Sequence, residues 1–254
     1  MTLDPKKWLG VFLAIIAICI AFAPAVGGDW VGDDFHLVVN AECARDTHDI
    51  SSIITRDGGQ CNYRPMRYIS YAVDHIMWGQ NPVGYHITNI LIHLGSCLLV
   101  LWLLIKTGLS FRFALLGTLL FGLHPAQADA VAYISGRRDS LMGLFYFAGV
   151  LAFFYALFND ITRLKKGLLL IAALLATVFA VLTKEMAVTM VAIFIGYLFV
   201  GGPAWINPQS NENSPQEPSK FSRLYLVLFV FASALACGAM IAYRGFIKPV
   251  SSVA

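Results

Sequence analysis

Four groups of polar residues interrupt this otherwise apolar chain, and their residue types suit proton transfer on an anionic substrate. Carboxylates can take up a proton, and lysine and arginine can hold a phosphate through charge-assisted hydrogen bonds. A charge at the centre of a bilayer costs about 2.5–3.5 kcal/mol on insertion scales, so charged residues between apolar stretches tend to be paired or functional. The groups are Asp33-Asp34; His86, Asn89 and His93; His124, Asp129, Arg137, Arg138 and Asp139; and Lys184-Glu185.

The acidic and histidine groups also have plain structural interpretations. An acidic pair such as Asp33-Asp34 is common in solvated loops. His86, Asn89 and His93 follow one another at i, i+3 and i+7 on one helical face. This spacing is typical of hydrogen bonds between membrane helices. A zinc site is disfavoured, because no third ligand stands nearby at a helical or CxxC spacing.

The basic groups have alternatives as well. Arg137-Arg138 could anchor a helix end at the lipid headgroups. Lys184-Glu185 could be a neutralising ion pair, since the two charges are adjacent in the chain. The sequence contains no P-loop, no GxSxG and no strand-linked GxGxxG pattern, so it gives no support to ATP hydrolysis, serine hydrolysis or dinucleotide chemistry.

The composition of the chain indicates that membrane helices position these polar groups. The chain has 254 residues, of which 58% are hydrophobic and 13% charged, and its mean hydropathy is +0.69. A soluble domain is about 25% charged, so the composition excludes soluble globular, disordered and disulfide-rich secreted chains. The net charge of +3 is too small and too scattered to indicate a nucleic acid partner. The sequence predicts an all-α, polytopic membrane protein, because helices satisfy their own backbone polar groups in lipid.

We predict seven membrane helices from the apolar stretches. Five stretches reach the roughly 17–25 residues that a span requires. Two are shorter and end at His124 and Lys184, and short spans usually end within protein below the membrane surface. The predicted spans are 8–26, 86–105, 111–123, 141–158, 167–182, 186–202 and 224–243.

The basic residues predict the orientation. Lys6-Lys7 precede the first span and place the N-terminus in the cytoplasm. Alternation then puts all four polar groups on the extracytoplasmic face of a bacterial inner, plasma or endoplasmic reticulum membrane. The first span shares a basic start and small residues with signal peptides, but its unbroken apolar length favours a retained anchor. We interpret 1–254 as one membrane domain, with an extracytoplasmic loop over 27–84 and a flexible cytoplasmic loop over 207–219.

The long outer loop carries two predicted amphipathic helices. Apolar residues share one face in 49–56 and again in 65–78, where the first residue is a proline. Trp78 and nearby tyrosines favour the headgroup level, so we expect both helices to lie along the outer surface. A small cap without an active role is the alternative. Cys43 and Cys61 stand in the same loop, and an oxidising compartment permits a disulfide between them, but the sequence leaves its geometry open.

The motifs, taken in order, resemble a known family. They resemble the N-terminal membrane region of the transmembrane-and-tetratricopeptide-repeat O-mannosyltransferases and their bacterial relatives, within the GT-C glycosyltransferases. The family usually continues into further spans and repeats, so the resemblance implies that this chain is a partial GT-C-like module. The motifs are Gly32-Asp33-Asp34, Tyr63-Arg64-Pro65, Asn81-Pro82 through His86, Asn89 and His93, His124-Pro125 through Ser135-Gly136-Arg137 to Asp139, and Lys184-Glu185.

Three positions depart from the family pattern. Asp129 stands where the family usually has Glu, Tyr133 where it has Trp, and Arg138 where it commonly has a small residue. The block that begins at His124-Pro125 is the most specific of the motifs. The resemblance covers the chain from about residue 29 to its end.

The resemblance implies a glycosyltransferase. It implies that mannose or another hexose passes from a polyprenyl-phosphate donor to a protein or glycan hydroxyl on the non-cytoplasmic side. By the family analogy a first-loop acid is the general base, Asp34 first and Asp33 second. The cations that hold the lipid phosphate would be Arg137, Arg138 and Lys184. The supporting or acceptor-binding residues would be His93, His124, Asp129, Asp139 and Glu185.

The scheme does not require a divalent metal, because the cations can neutralise the phosphate, although it is compatible with one. Two other classes of function remain as alternatives. A transporter or lipid flippase would show inverted repeats and charges near the midplane, whereas these charges gather towards one face. A non-catalytic membrane scaffold subunit is the second alternative.

Overall fold

The computed structural model describes the backbone of residues 4–41, 63–158, 161–200 and 220–246. All regular structure within these ranges is helical and none of it is strand, so the all-α prediction is confirmed. Three predictions lie outside the described residues: the helix over 49–56, the Cys43–Cys61 pairing and the flexible loop over 207–219.

Eight helices of at least 12 residues lie in the described ranges. Seven correspond to the predicted spans, and α2 coincides with the helix predicted at 65–78. In chain order they are α1 (Pro5–Phe22), α2 (Pro65–Trp78), α3 (Pro82–Lys106), α4 (Phe111–Gly122), α5 (Arg137–Phe158), α6 (Arg163–Thr183), α7 (Thr189–Val200) and α8 (Lys220–Phe246).

Four of these helices, α1, α3, α5 and α6, are long and apolar enough to cross a membrane. The helices α4, α7 and α8 contribute shorter apolar stretches. The stretch over 167–182 was expected to be a short span. Helix α6 is longer because it begins at Arg163 and continues for 21 residues to Thr183. The charged first turn is helical, and an apolar count alone does not detect it.

Local sequence explains where several helices begin. A proline stands in the first turn of α1, α2 and α3, where no intrahelical N–H bond is lost. The side chain of Asp4 accepts a hydrogen bond from the Lys6 N–H, and that of Asn81 accepts one from the Val83 N–H. Helix α6 ends at Thr183 because Lys184 adopts an extended backbone, which turns the chain towards α7.

Aromatic packing joins the C-terminal helices. The rings of Phe153 on α5, Phe194 on α7 and Phe229 on α8 lie with centroids 4.5–5.2 Å apart. Such pairs stabilise by about 0.5–1.5 kcal/mol each beyond the area they bury. Many large apolar side chains elsewhere on the helices are exposed, as expected where the surrounding solvent is lipid.

Helix α2 buries charged side chains and exposes apolar ones, which is the reverse of a surface helix in a soluble protein. It buries Arg67 and Asp74 completely or almost so, whereas Ile76 and Met77 are 69% and 62% exposed. A charged side chain is buried only where it is paired or hydrogen-bonded, because desolvation is costly. The inner face of α2 is therefore part of a polar centre between the helices.

Candidate active site

The polar groups meet at one end of the helix bundle. That end contains the C-termini of α1, α4 and α6 and the N-termini of α3 and α5. Direct contacts link the groups: Asp34 to Ser135, Asn89 to Arg137, and Asp139 to Lys184. Residues that are far apart in the chain thus form one connected polar region.

Asp34 is an anchored carboxylate. It follows α1 in a short segment that leads into a π-helical turn, Phe35–Val39, and the residue has no exposed surface. Its Oδ1 accepts a hydrogen bond from the Ser135 N–H at 2.8 Å, and its Oδ2 accepts one from the Val31 N–H at 3.1 Å. Burial raises the pKa of Asp34, and these two N–H donors partly oppose that shift.

Asp33 has the opposite environment. Its side chain is exposed, and its backbone N–H donates to the Tyr133 hydroxyl at 2.7 Å. The preceding Gly32 has φ +50°, a left-handed conformation that favours glycine, and a Cβ there would lie 3.0 Å from the Tyr133 oxygen. The turn therefore points one acid of the pair into the protein and leaves the other open to a ligand.

Arg137 is the centre of a buried network. Its Nε donates to Asn89 Oδ1 at 2.6 Å, its Nη2 donates to the Tyr85 carbonyl at 2.9 Å, and its Nη1 lies 2.6 Å from Asp74 Oδ2. The guanidinium also lies over the Tyr71 ring, 4.7 Å from its centroid. Arg137 has no exposed surface, so in this arrangement it offers no donor to a ligand.

Sequence reasoning did not find Asp74. Burial raises the pKa of this carboxyl, and the Arg137 charge and the Thr88 hydroxyl, which donates to Asp74 at 2.8 Å, oppose the shift. The available signal was its position on the same face of α2 as Arg67 and Tyr71, which are also buried. Burial also raises the pKa of Tyr71 to about 12. Its hydroxyl therefore stays protonated and donates to the Ile134 carbonyl at 3.1 Å.

Asn89 and His93 on α3 each form hydrogen bonds to a neighbouring segment. The Asn89 amide donates to the carbonyls of Val131 and Tyr133 at 3.2 and 3.1 Å. His93 Nε2 lies 3.0 Å from the Gly122 carbonyl and joins α3 to α4. This is the structural alternative that the helical spacing indicated. His93, a predicted supporting residue, is buried.

Two cations, Lys184 and Arg138, contact the Asp139 carboxylate. Lys184 Nζ pairs with Asp139 Oδ1, and Arg138 Nε lies 3.3 Å from Oδ2. The side chains of Arg138 and Lys184 are 40% and 18% exposed, so both remain accessible from outside the bundle. Glu185 accepts from Arg64 Nη2 on both oxygens, at 3.1 and 3.2 Å. The adjacent Lys184 and Glu185 thus hold partners on different elements.

His124 and Asp129 lie at the exposed rim. His124 Nδ1 accepts a hydrogen bond from the Ala126 N–H at 3.1 Å and thereby caps the turn Pro125–Gln127. Asp129 stands in a single helical turn, Ala128–Val131. Its carbonyl oxygen packs so closely on Gly136 that a Cβ there would come within 1.8 Å. Among the described residues, no three His, Cys, Asp or Glu side chains group as metal ligands.

Comparison with known proteins identifies relatives of the chain. It is 29% identical over 218 residues to the protein O-mannosyl-transferase TMTC4 of Mus musculus, which covers 74% of this chain and 29% of the relative. It is 26% identical over 223 residues to human TMTC1, which covers 80% of this chain and 25% of the relative. The chain is a homologue of the TMTC O-mannosyltransferases.

The predicted resemblance to the TMTC O-mannosyltransferases is therefore confirmed. The Tmtc1 protein of Drosophila melanogaster is a further relative, 28% identical over 191 residues, with 71% of this chain and 21% of the relative covered. The chain spans only about a quarter of the length of these TMTC proteins. No family model matches the chain, and no solved structure gives a significant match.

Proposed function

We propose that the chain is the N-terminal membrane part of a GT-C glycosyltransferase. Its reaction transfers mannose or another hexose from a polyprenyl-phosphate donor to a hydroxyl of a protein or glycan acceptor. The observation that carries this proposal is that one short loop connects an exposed acid, Asp33, to two partly exposed cations, Arg138 and Lys184. Tyr133 holds the backbone of Asp33, and the same short loop leads into α5, where Arg138 meets Lys184 across Asp139. The TMTC relatives are named protein O-mannosyl-transferases, which supports the same reaction class.

Asp33 is the general base in this proposal, ahead of Asp34. A base must approach the proton that it takes to hydrogen-bond distance. The Asp33 carboxylate is exposed, whereas both Asp34 oxygens accept backbone N–H bonds inside the protein. This reverses the order that the family analogy implies. Asp34 then fixes the turn that presents Asp33.

The bonds change as follows. Asp33 takes the proton of the acceptor hydroxyl while the hydroxyl oxygen attacks the anomeric carbon of the sugar. The bond between that carbon and the lipid phosphate oxygen breaks, and the phosphate leaves with the electron pair. Arg138 and Lys184 hold this phosphate through charge-assisted hydrogen bonds. Asp139 orients both cations, and Glu185 pairs with Arg64.

Arg137 has a different role in this proposal from the one that the sequence indicated. Its guanidinium is buried and engaged by Asn89, Asp74 and Tyr85. The phosphate therefore depends on Arg138 and Lys184. His124 and Asp129 stay candidates for acceptor contacts at the rim. The proposed transfer does not need a divalent metal, because Arg138 and Lys184 neutralise the leaving phosphate.

The proposed orientation rests on the basic residues. Lys6-Lys7 at the start of α1 and the basic residues at the start of α6 belong to the bundle end opposite the polar region. The positive-inside rule then places that end in the cytoplasm and the acid pair on the extracytoplasmic face. A polyprenyl-phosphate sugar in the outer leaflet would present its headgroup at this level.

The proposal is tested with the complete gene product in membranes. Radiolabelled hexose is supplied as polyprenyl-phosphate mannose or glucose, and transfer to membrane protein is measured. Asp33→Asn keeps the shape of the side chain but cannot accept the proton, so the rate should fall about 10²–10⁴-fold. Asp29→Asn is the matched control, because Asp29 is an exposed acid of the same segment that bonds the adjacent Trp30 N–H.

Two results would contradict the proposal. Transfer at the wild-type rate by Asp33→Asn would remove Asp33 as the base, and the same result for Asp34→Asn as well would remove the acid pair from the reaction. Failure of the wild-type protein to use either polyprenyl-phosphate hexose would contradict the proposed donor class.

A further inference from the structure

The loop over 131–137 contacts polar residues on both of its sides. It runs from the single helical turn Ala128–Val131 through a second turn, Ile134–Gly136, into α5. One side of the loop holds the acid pair, and the other is bonded to α2 and α3. The loop is therefore the physical connection between the acids and the buried network.

On the side of α3, Asn89 binds the loop through both its amide nitrogen and its amide oxygen. Its amide nitrogen donates to the carbonyls of Val131 and Tyr133, and its amide oxygen accepts from Arg137 Nε. Asn89 has no exposed surface. A buried side-chain amide that uses both its donor and its acceptor groups fixes the backbone segment that it binds, because every alternative leaves a polar group unpaired.

On the side of α2, Arg137 and Tyr71 hold the other end of the loop. Arg137 pairs with Asp74 and also donates to the carbonyl of Tyr85, the fourth residue of α3. The Tyr71 hydroxyl donates to the Ile134 carbonyl at 3.1 Å. The loop is thus tied to two helices through side chains that are buried.

On the side of the acid pair, the loop presents two groups. The Ser135 N–H donates to Asp34 Oδ1 at 2.8 Å, and the Tyr133 hydroxyl accepts from the Asp33 N–H at 2.7 Å. Asn89 binds the carbonyl of Tyr133 itself and that of Val131, two residues before it. A shift of the loop would therefore move both contacts to the acid pair at once.

We propose that Asn89 and Arg137 are positioning residues, which fix the 131–137 loop so that Tyr133 and Ser135 hold Asp33 and Asp34 in place. The catalytic meaning of this inference rests on the proposed function, but the positioning itself does not. Neither residue touches the substrate in this scheme. Their loss should lower turnover and leave binding of a polyprenyl-phosphate analogue nearly unchanged, because Arg138 and Lys184 remain.

The test measures the protection of the Asp34 carboxylate. The complete gene product is treated with a water-soluble carbodiimide and glycine ethyl ester, and modification of each acid is read by mass spectrometry. In the wild-type protein Asp33 should react and Asp34 should be protected. Asn89→Ala removes two donors to the loop and one acceptor for Arg137, so Asp34 modification should rise about tenfold or more. Thiol modification of the buried Cys237 serves as the reporter of global unfolding and should not change.

The matched control is Ser96→Ala. Ser96 is also buried on α3, but its hydroxyl donates within the same helix, to the Ile92 carbonyl at 3.1 Å. It should leave Asp34 protected. A second variant, Asn89→Asp, has the shape of Asn89 and still accepts from Arg137, but it cannot donate to the loop. It should also expose Asp34. Arg137→Lys should do so as well, because one lysine nitrogen replaces the three guanidinium nitrogens that contact Asn89, Asp74 and Tyr85.

The outcomes separate the two proposals. Asp34 that stays protected in Asn89→Ala and Asn89→Asp overturns the inference. Exposure of Cys237 in both variants assigns Asn89 to the fold as a whole and overturns it too. Arg137→Lys could instead weaken binding of the polyprenyl-phosphate analogue and leave Asp34 protected. That result would assign Arg137 to the phosphate site and overturn its positioning role. Labelling does not depend on turnover. Transfer at the wild-type rate by Asp33→Asn would therefore contradict only the proposed base, and labelling of Asp34 in the Asn89 variants would still support the inference.

Discussion

Lys184, which follows the last residue of α6, forms an ion pair with Asp139 in the first turn of α5. An acid near a helix N-terminus and a cation near a helix C-terminus are both stabilised by the helix dipole. The pair therefore joins two neighbouring helix ends where their fields favour these charges. Arg138 shares the same carboxylate, so Asp139 holds in position the two cations that we propose bind the phosphate.

The first prediction concerns these cations. Lys184→Met and Arg138→Met should each weaken binding of a polyprenyl-phosphate analogue about tenfold or more, since a charge-assisted hydrogen bond is worth about 1.5–3 kcal/mol. Lys165→Met is the control, because Lys165 is an exposed lysine at the other end of α6. Binding is measured by isothermal titration calorimetry in detergent. Unchanged affinity in both site variants would reduce the residues to structural ion pairs.

The second prediction concerns Gly136. A Cβ at this position would lie 1.8 Å from the Asp129 carbonyl oxygen, and backbone atoms cannot yield as a side chain can. Gly136→Ala should therefore lower the free energy of unfolding by about 1–3 kcal/mol or more, which is measured as a lower melting temperature. Gly167→Ala is the matched control in α6, where nothing lies within 4 Å, and alanine should be neutral or stabilising. A Gly136→Ala protein as stable as wild type would contradict the close packing.

The third prediction concerns pH and Asp34. Burial raises the pKa of this acid above its ordinary value of 3.8. An acid with a raised pKa in the folded state contributes stability below its unfolded pKa and loses that contribution as pH rises through the folded pKa. The melting temperature of wild type minus that of Asp34→Asn should therefore decrease from about pH 4 to pH 7. Ser96→Ala changes no titratable group, so its difference from wild type should not vary with pH. A difference that increased instead would mean that hydrogen bonding dominates and the pKa is lowered.

The fourth prediction concerns orientation. In a protein without Cys43 and Cys61, a cysteine at Gln80 should react with an impermeant thiol reagent in intact cells, and one at Thr162 should not. Both positions are exposed and lie at opposite ends of the bundle. Positive-inside topology is the physical basis. The reverse labelling pattern would place the acid pair in the cytoplasm.

The membrane helices could be predicted from the sequence because their signal is local. Apolar runs and the first-turn prolines of α1, α2 and α3 act within a few residues of the positions that they define. The same holds for α2, which begins at Pro65 and ends at Trp78 as its periodicity predicts. The start of α6 was missed because its charged first turn does not contribute to an apolar count.

The sequence by itself also determined which residue types carry the chemistry and which family the chain resembles, since motifs are read along the chain. Only the tertiary structure decided how they are used. Asp34 and Ser135 are 101 residues apart, and Arg64 and Glu185 are 121 residues apart. The contact with the segment around Ser135 buries Asp34, whereas Asp33 is exposed. Similarly, Arg137 and Arg138 are adjacent, yet one is enclosed by Asp74 and Asn89 and the other is exposed. Burial depends on which distant segments pack against a side chain, and one-dimensional spacing does not contain that information.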